Sequence, residues 1–194
     1  VGSEMCIRDS VTIVQTTAPF QNENVIQLLL MTDNARDMGA KSVTVVVPYF
    51  AYARQDKRFR PGEAFSAKTI VKLLQTCGAT EIVTVNTHSP AMLKELGLPV
   101  EDLSAIGLLA QHFKEQGLKN VFSLSLGKKG LSMAVEANNV LRGDFGYIPT
   151  QRDPVTGNVT IEKKPLPVKN RYVIIFDDII SSGGTMTRAV AWVK

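Results

Sequence analysis

Gly39, Gly78 and Gly117 stand 39 residues apart, and each closes a stretch of helical spacing and precedes a β-branched run. Glycine just past a helix end takes the left-handed backbone conformation without a side-chain penalty, so the three positions read as helix stops followed by strands. Helices are expected over residues 23–38, 66–77 and 106–116, with Ile70, Val71, Leu73 and Leu74 at helical spacing; strands are expected over 42–47, 81–85 and 120–124. Such alternation implies the α/β class, a mainly parallel sheet flanked by helices. Pro99 and the ValGluAspLeuSer that follows read as a linker, which divides residues 11–104 from residues 105–194 as two related domains.

A chain of 194 residues has room for either one large domain or two small ones. Its 44% hydrophobic and 21% charged residues are ordinary for a globular protein, and no run of eighteen apolar residues is present to cross a bilayer. A formal charge of +4 suits anionic ligands, but the excess comes from two loops rather than one basic face, so nucleotides explain it as well as nucleic acid does. Cys6 and Cys77 are too few for a disulfide framework or a structural zinc site, and a reducing cytoplasm is the expected location. The opening VGSEMCIRDS lacks clear periodicity and resembles a translated sequencing adapter, so residues 1–10 are set aside as a non-native leader. The stop at Lys194 falls inside a helical pattern, and the chain reads as a fragment truncated at both ends.

The richest chemistry lies in RYVIIFDDIISSGGTMT, residues 171–187. Tyr172 to Phe176 is an unbroken apolar run, the pattern of a parallel strand covered on both faces, and a central position is expected. Asp177 and Asp178 follow at its carboxyl end, where open α/β sheets place ligands. Ser181, Ser182, Gly183, Gly184 and Thr185 then form a turn able to wrap an anion. The glycines free backbone N–H groups to point inward, the hydroxyls add donors, and a helix opening near Thr185 adds its positive end. A phosphate beside two carboxylates suits a sugar phosphate. Neither a Walker loop nor the dinucleotide G-x-G-x-x-G is present.

A second candidate spans residues 48–63, where aromatics and cations interleave. A flat base could stack on Tyr49, Phe50 or Tyr52, while Arg54, Lys57, Arg58 and Arg60 could neutralise a polyphosphate. The bland alternative is a basic surface loop or a nucleic-acid contact. His88, at the end of the strand expected over 81–85, is the third candidate, although a lone histidine is more often a hydrogen-bonded structural residue. Residues 150–164 read as a long exposed loop of the kind that is functional or mobile.

DDIISSGGT resembles the phosphoribosyl-diphosphate (PRPP) loop of type I phosphoribosyltransferases and ribose-phosphate diphosphokinases, of form D-D-I-I-S-T-G-G-T, and differs by one hydroxyl residue. PYFAYARQDKRFRPGEAFSAK resembles the diphosphokinase segment P-Y-x-x-Y-A-R-Q-D-[KR], which transferases that merely consume PRPP lack. The resemblance, closest to the archaeal style, covers nearly everything from Val11 onward. It implies two phosphoribosyltransferase type I-like domains, the first carrying an ATP loop and the second a PRPP loop. The implied reaction moves the β,γ-diphosphoryl group of ATP onto ribose 5-phosphate, giving PRPP and AMP for nucleotide biosynthesis. Arg54, Gln55 and Asp56 would bind ATP, and His88 would serve ATP and Mg²⁺. Asp177 and Asp178 would hold the ribose, residues 181–185 would hold the 5-phosphate, and Arg152 would steady the transferring phosphates. The implied partners are ATP, ribose 5-phosphate and further copies of the chain, with neither nucleic acid nor membrane.

Three departures qualify the resemblance. The family's D-L-H reads Asn86, Thr87, His88, and its S-P-D-x-G turn aligns with SerLeuSerLeuGly, which puts Ser125 where a carboxylate belongs. Of the catalytic loop's Lys and Arg, residues 148–152 keep Arg152, with Thr150 substituted and Lys163 and Lys164 as nearby cations. The rival reading is therefore a catalytically impaired regulatory paralogue that still binds sugar phosphate or nucleotide.

Overall fold

A computed structural model describes residues 10–58, 60–152, 159–161 and 165–193. The chain forms two compact units, Val1–Ser104 and Ala105–Lys194. The first unit runs β1 (Ser10–Val14), α1 (Gln21–Asp37), β2 (Ser42–Val47), α2 (Ser66–Thr76), β3 (Glu81–Val85), α3 (Pro90–Lys94) and β4 (Val100–Leu103). Its sheet is wholly parallel in the order β1-β2-β3-β4.

The period of two in SVTVVV explains β2. Val43, Val45 and Val47 are buried, while Thr44 and Val46 point to the other, half-covered face. On α2 the buried residues Ala67, Val71 and Leu74 recur at the helical period, and they pack in one core with Leu28, Ile82 and Leu93. Gly39, Gly78 and Gly117 all have positive φ, as the helix-stop reading requires. Gly78 has a second reason to lack a side chain, since a Cβ there would lie 2.2 Å from Cγ of Arg36.

The segment after Pro99 is not a linker. Val100–Leu103 is an edge strand paired in parallel with β3, and the Pro99 carbonyl accepts the Ile82 amide at 2.9 Å. Two acidic residues in a run of four hid this strand, because an edge needs apolar residues on one face only.

The second unit runs α4 (Ile106–Glu115), β5 (Val121–Leu126), a 3-10 turn (Lys128–Gly130), α5 (Leu131–Leu141), β6 (Asp144–Ile148), β7 (Thr150–Arg152), β8 (Val159–Ile161), β9 (Tyr172–Phe176) and α6 (Gly184–Val193). The main sheet is parallel in the order β6-β5-β9. Contrary to expectation, β9 lies at the edge among the described residues and β5 is central. Val121 to Ser125 are buried without a break, whereas β9 is mostly half-buried and Tyr172 is exposed. An apolar run records that a strand is covered in part but not how many neighbours it has. Within the loop expected over 150–164, β7 and β8 pair in antiparallel register. Among the described residues no helix is long and apolar enough to cross a membrane.

Candidate active site

Parallel strands deliver every β-to-α loop to the same edge of their sheet, and the candidate residues follow that rule. In the first unit the loop after β2 carries Arg54, Gln55 and Asp56, and the loop after the adjacent β3 carries His88. In the second unit, Asp177 and Asp178 follow β9 directly, with the turn from Ser181 to Gly183 leading into α6.

The first turn of the loop after β2 is held from beneath by Thr17, only 2% exposed. Its hydroxyl donates to the Tyr49 carbonyl and accepts the Ala51 amide at 2.9 Å. Tyr52 adopts φ 64° and donates its hydroxyl to Oδ1 of Asn22 on α1, while the Gln55 amide donates to the Tyr52 carbonyl at 2.8 Å. Arg54 is exposed and Gln55 half-buried. Phe50 corrects the stacking expectation: at 4% exposure it belongs to the core and is closed to a ligand, which leaves Tyr49 and Tyr52. Farther along, the loop folds on itself, with Nε of Arg58 donating to the Glu63 carbonyl at 3.1 Å and the Arg60 amide to Oε2 of Glu63 at 3.1 Å.

His88 is exposed on a turn that Asn86 enters with φ 44°. Sequence reasoning missed the residue beneath that turn. Oδ1 of Asp102, on β4, accepts the Thr84 hydroxyl at 2.7 Å and the Thr87 amide at 2.9 Å. The signal was available in principle, because Asp102 shares a face with Val100 and a carboxylate in that register calls for donors.

After β9, Asp177 and Asp178 are half-buried, and the Asp177 carboxylate accepts the Asp178 amide at 3.0 Å. Gly183 has φ 74° and open space where a side chain would stand. The Thr187 amide bonds back to the Gly183 carbonyl at 2.8 Å. Among the described residues, the amides from Ser181 to Met186 make no backbone hydrogen bond, as the start of a helix leaves them. They remain available to an anion.

Ser125 is fully buried at the end of β5, its hydroxyl 3.5 Å from the Gly127 carbonyl and 3.5 Å from where a Cβ on Gly130 would sit. It faces protein. The backbone of Arg152 pairs with Val159, while its side chain, Lys163 and Lys164 lie outside what the structure describes.

Two parallel-sheet units with the candidate loops at the strands' carboxyl ends form an α/β protein of the phosphoribosyltransferase type. Residues 3–78 match the family model for the N-terminal domain of ribose phosphate pyrophosphokinase, a match that begins inside the segment set aside as a leader. The ribose-phosphate pyrophosphokinase of Methanobrevibacter smithii is 36% identical over 198 residues, covering 97% of this chain and 66% of that protein. That of Methanothermobacter thermautotrophicus is 38% identical, covering 94% and 63%. The crystal structure of phosphoribosylpyrophosphate synthetase from Mycobacterium smegmatis superposes with a TM-score of 0.81 at 26% identity, covering 98% of this chain and 62% of that one. Over almost its whole length the chain is similar to ribose-phosphate pyrophosphokinases, and it spans just under two thirds of the length of these relatives.

Proposed function

We propose that the protein is a ribose-phosphate diphosphokinase. The anomeric hydroxyl of ribose 5-phosphate attacks the β-phosphorus of ATP, the bond to the α,β-bridging oxygen breaks, and AMP departs as PRPP forms. The observation that carries this reading is the turn after β9, where paired carboxylates stand shortly before the amides of residues 181–186, which make no backbone hydrogen bond among the described residues. The carboxylates accept hydrogen bonds from the ribose hydroxyls, and the amides with Ser181, Ser182 and Thr185 hold the 5-phosphate. Arg54, Gln55 and Asp56 hold ATP from the first unit, His88 contacts its phosphates, and Arg152 stabilises the charge in transfer.

Among the described residues, no group of three or more His, Cys, Asp or Glu side chains gathers at one point. A Mg²⁺ carried on substrate phosphates keeps most of its water and needs few protein donors, so no such cluster is required, and His88 would meet it from the first unit. When bound, Mg²⁺ would neutralise the transferring phosphates. We further assign a cytoplasmic homo-oligomer that uses neither nucleic acid nor membrane as partner.

The test is to incubate the protein with ATP, Mg²⁺ and ribose 5-phosphate and to measure AMP and PRPP. Equal amounts of both, absent without ribose 5-phosphate, are expected. The burial of Ser125 favours one second reading, a regulatory paralogue. That protein would still bind PRPP or ADP and release no AMP.

A further inference from the structure

The turn that bears His88 is tied to β4 and to Ser104, the residue after it. The Asn86 amide donates to the Leu103 carbonyl at 2.9 Å, Nδ2 of Asn86 lies 3.3 Å from Oγ of Ser104, and the Thr87 amide donates to Asp102 at 2.9 Å. The last of these ties is a charge-assisted bond. It is also the one nearest the histidine, because the Thr87 amide directly precedes the Thr87 α-carbon from which His88 follows. Oδ1 of Asp102 meanwhile accepts the hydroxyl of Thr84, a fully buried residue of β3, which fixes the carboxylate to the sheet. One oxygen thus joins a rigid strand to the turn. Asn86 holds a left-handed conformation that an isolated turn would leave readily, so the turn's shape depends on such anchors.

We propose that Asp102 is a positioning residue that sets the direction in which His88 meets the phosphates of a bound nucleotide. The inference rests on the nucleotide role proposed above for His88. Asp102 touches no ligand and acts through the turn.

The protein has only two histidines, and His112 lies in the second unit, so it serves as an internal reference. In a ¹H–¹³C correlation spectrum of the imidazoles, Asp102→Ala is expected to displace and broaden the His88 signal and leave His112 in place. Asp102→Asn keeps an oxygen able to accept both bonds, and it should leave His88 close to its original position. Calorimetry with MgATP should show about tenfold weaker binding for Asp102→Ala, most of the affinity kept by Asp102→Asn, and no further loss when Asp102→Ala is added to His88→Ala. An unmoved His88 signal in Asp102→Ala, or an equal loss in the His88→Ala background, overturns the proposal. Should Asp102→Ala not fold, Thr84→Val removes the 2.7 Å bond with little change of shape and should still displace the His88 signal while His112 stays in place; an unmoved His88 signal there overturns the proposal. Absence of MgATP binding by the unsubstituted protein would refute the proposed function instead, while the imidazole spectra would still decide whether Asp102 sets His88.

Discussion

Thr17→Val removes one hydroxyl from beneath the proposed ATP loop and keeps the side chain's shape. The Ala51 amide, 2% exposed, loses the acceptor it has at 2.9 Å, and the Tyr49 carbonyl loses a donor. An orphaned buried amide costs about 1–3 kcal/mol, and an ordinary hydrogen bond contributes about 0.5–1.5 kcal/mol. The added methyl returns about 0.8 kcal/mol of burial, so a net loss of about 2 kcal/mol is expected. Thr17→Ser keeps the hydroxyl and loses one methyl, for which about 1 kcal/mol is expected. Two measurements read the difference. Urea unfolding followed by circular dichroism should give a midpoint about 1 M lower for Thr17→Val and about 0.5 M lower for Thr17→Ser. Hydrogen exchange at the Ala51 amide should accelerate about thirtyfold in Thr17→Val if local opening absorbs the full 2 kcal/mol. Because the same turn leads to Arg54 and Gln55, ADP binding should weaken in Thr17→Val and persist in Thr17→Ser. A Thr17→Val protein with the original midpoint and exchange rate, or a Thr17→Ser protein that loses as much, would refute this account of the loop.

Asp178→Ala is expected to abolish ribose 5-phosphate binding in calorimetry while ATP binding stays nearly intact; equal binding of the sugar by the variant would reject the role given to that carboxylate. Gly143→Ala places a methyl 2.0 Å from the Val121 carbonyl oxygen, so β5 and β6 must part. A loss of about 3 kcal/mol or more follows, and the fluorescence of Trp192 in α6 should report unfolding of the second unit at a clearly lower temperature. Burial, and after it the negative charge of Asp33, pushes the Cys77 thiol up from its ordinary 9.0. The folded state therefore favours the neutral thiol, and this contribution is complete below the unfolded value and fades as pH rises through the folded one. In a Cys6→Ser background, iodoacetamide should modify Cys77 more slowly at pH 9 than it modifies a free peptide thiol; equal rates would contradict the shift.

The βα alternation and the glycine-bearing turn after β9 were legible in the amino-acid order because both are local. A helix stop needs only a residue free to adopt positive φ, as Gly39, Gly78 and Gly117 do, and a loop that offers consecutive amides needs only its own glycines and hydroxyls. Strand β2 and strand β3 accordingly fall where their β-branched runs placed them. Tertiary structure decided which strands have two neighbours, and so made β5 central and, among the described residues, left β9 at the edge. It also turned Phe50 into the core, joined Thr17 to Ala51 across 34 residues, and brought Asp102 under Thr87 across 15. Contacts of that kind carry no period and no turn signature. They form when strand order sets two distant backbone segments side by side, and a buried donor then takes whichever acceptor the neighbouring strand presents.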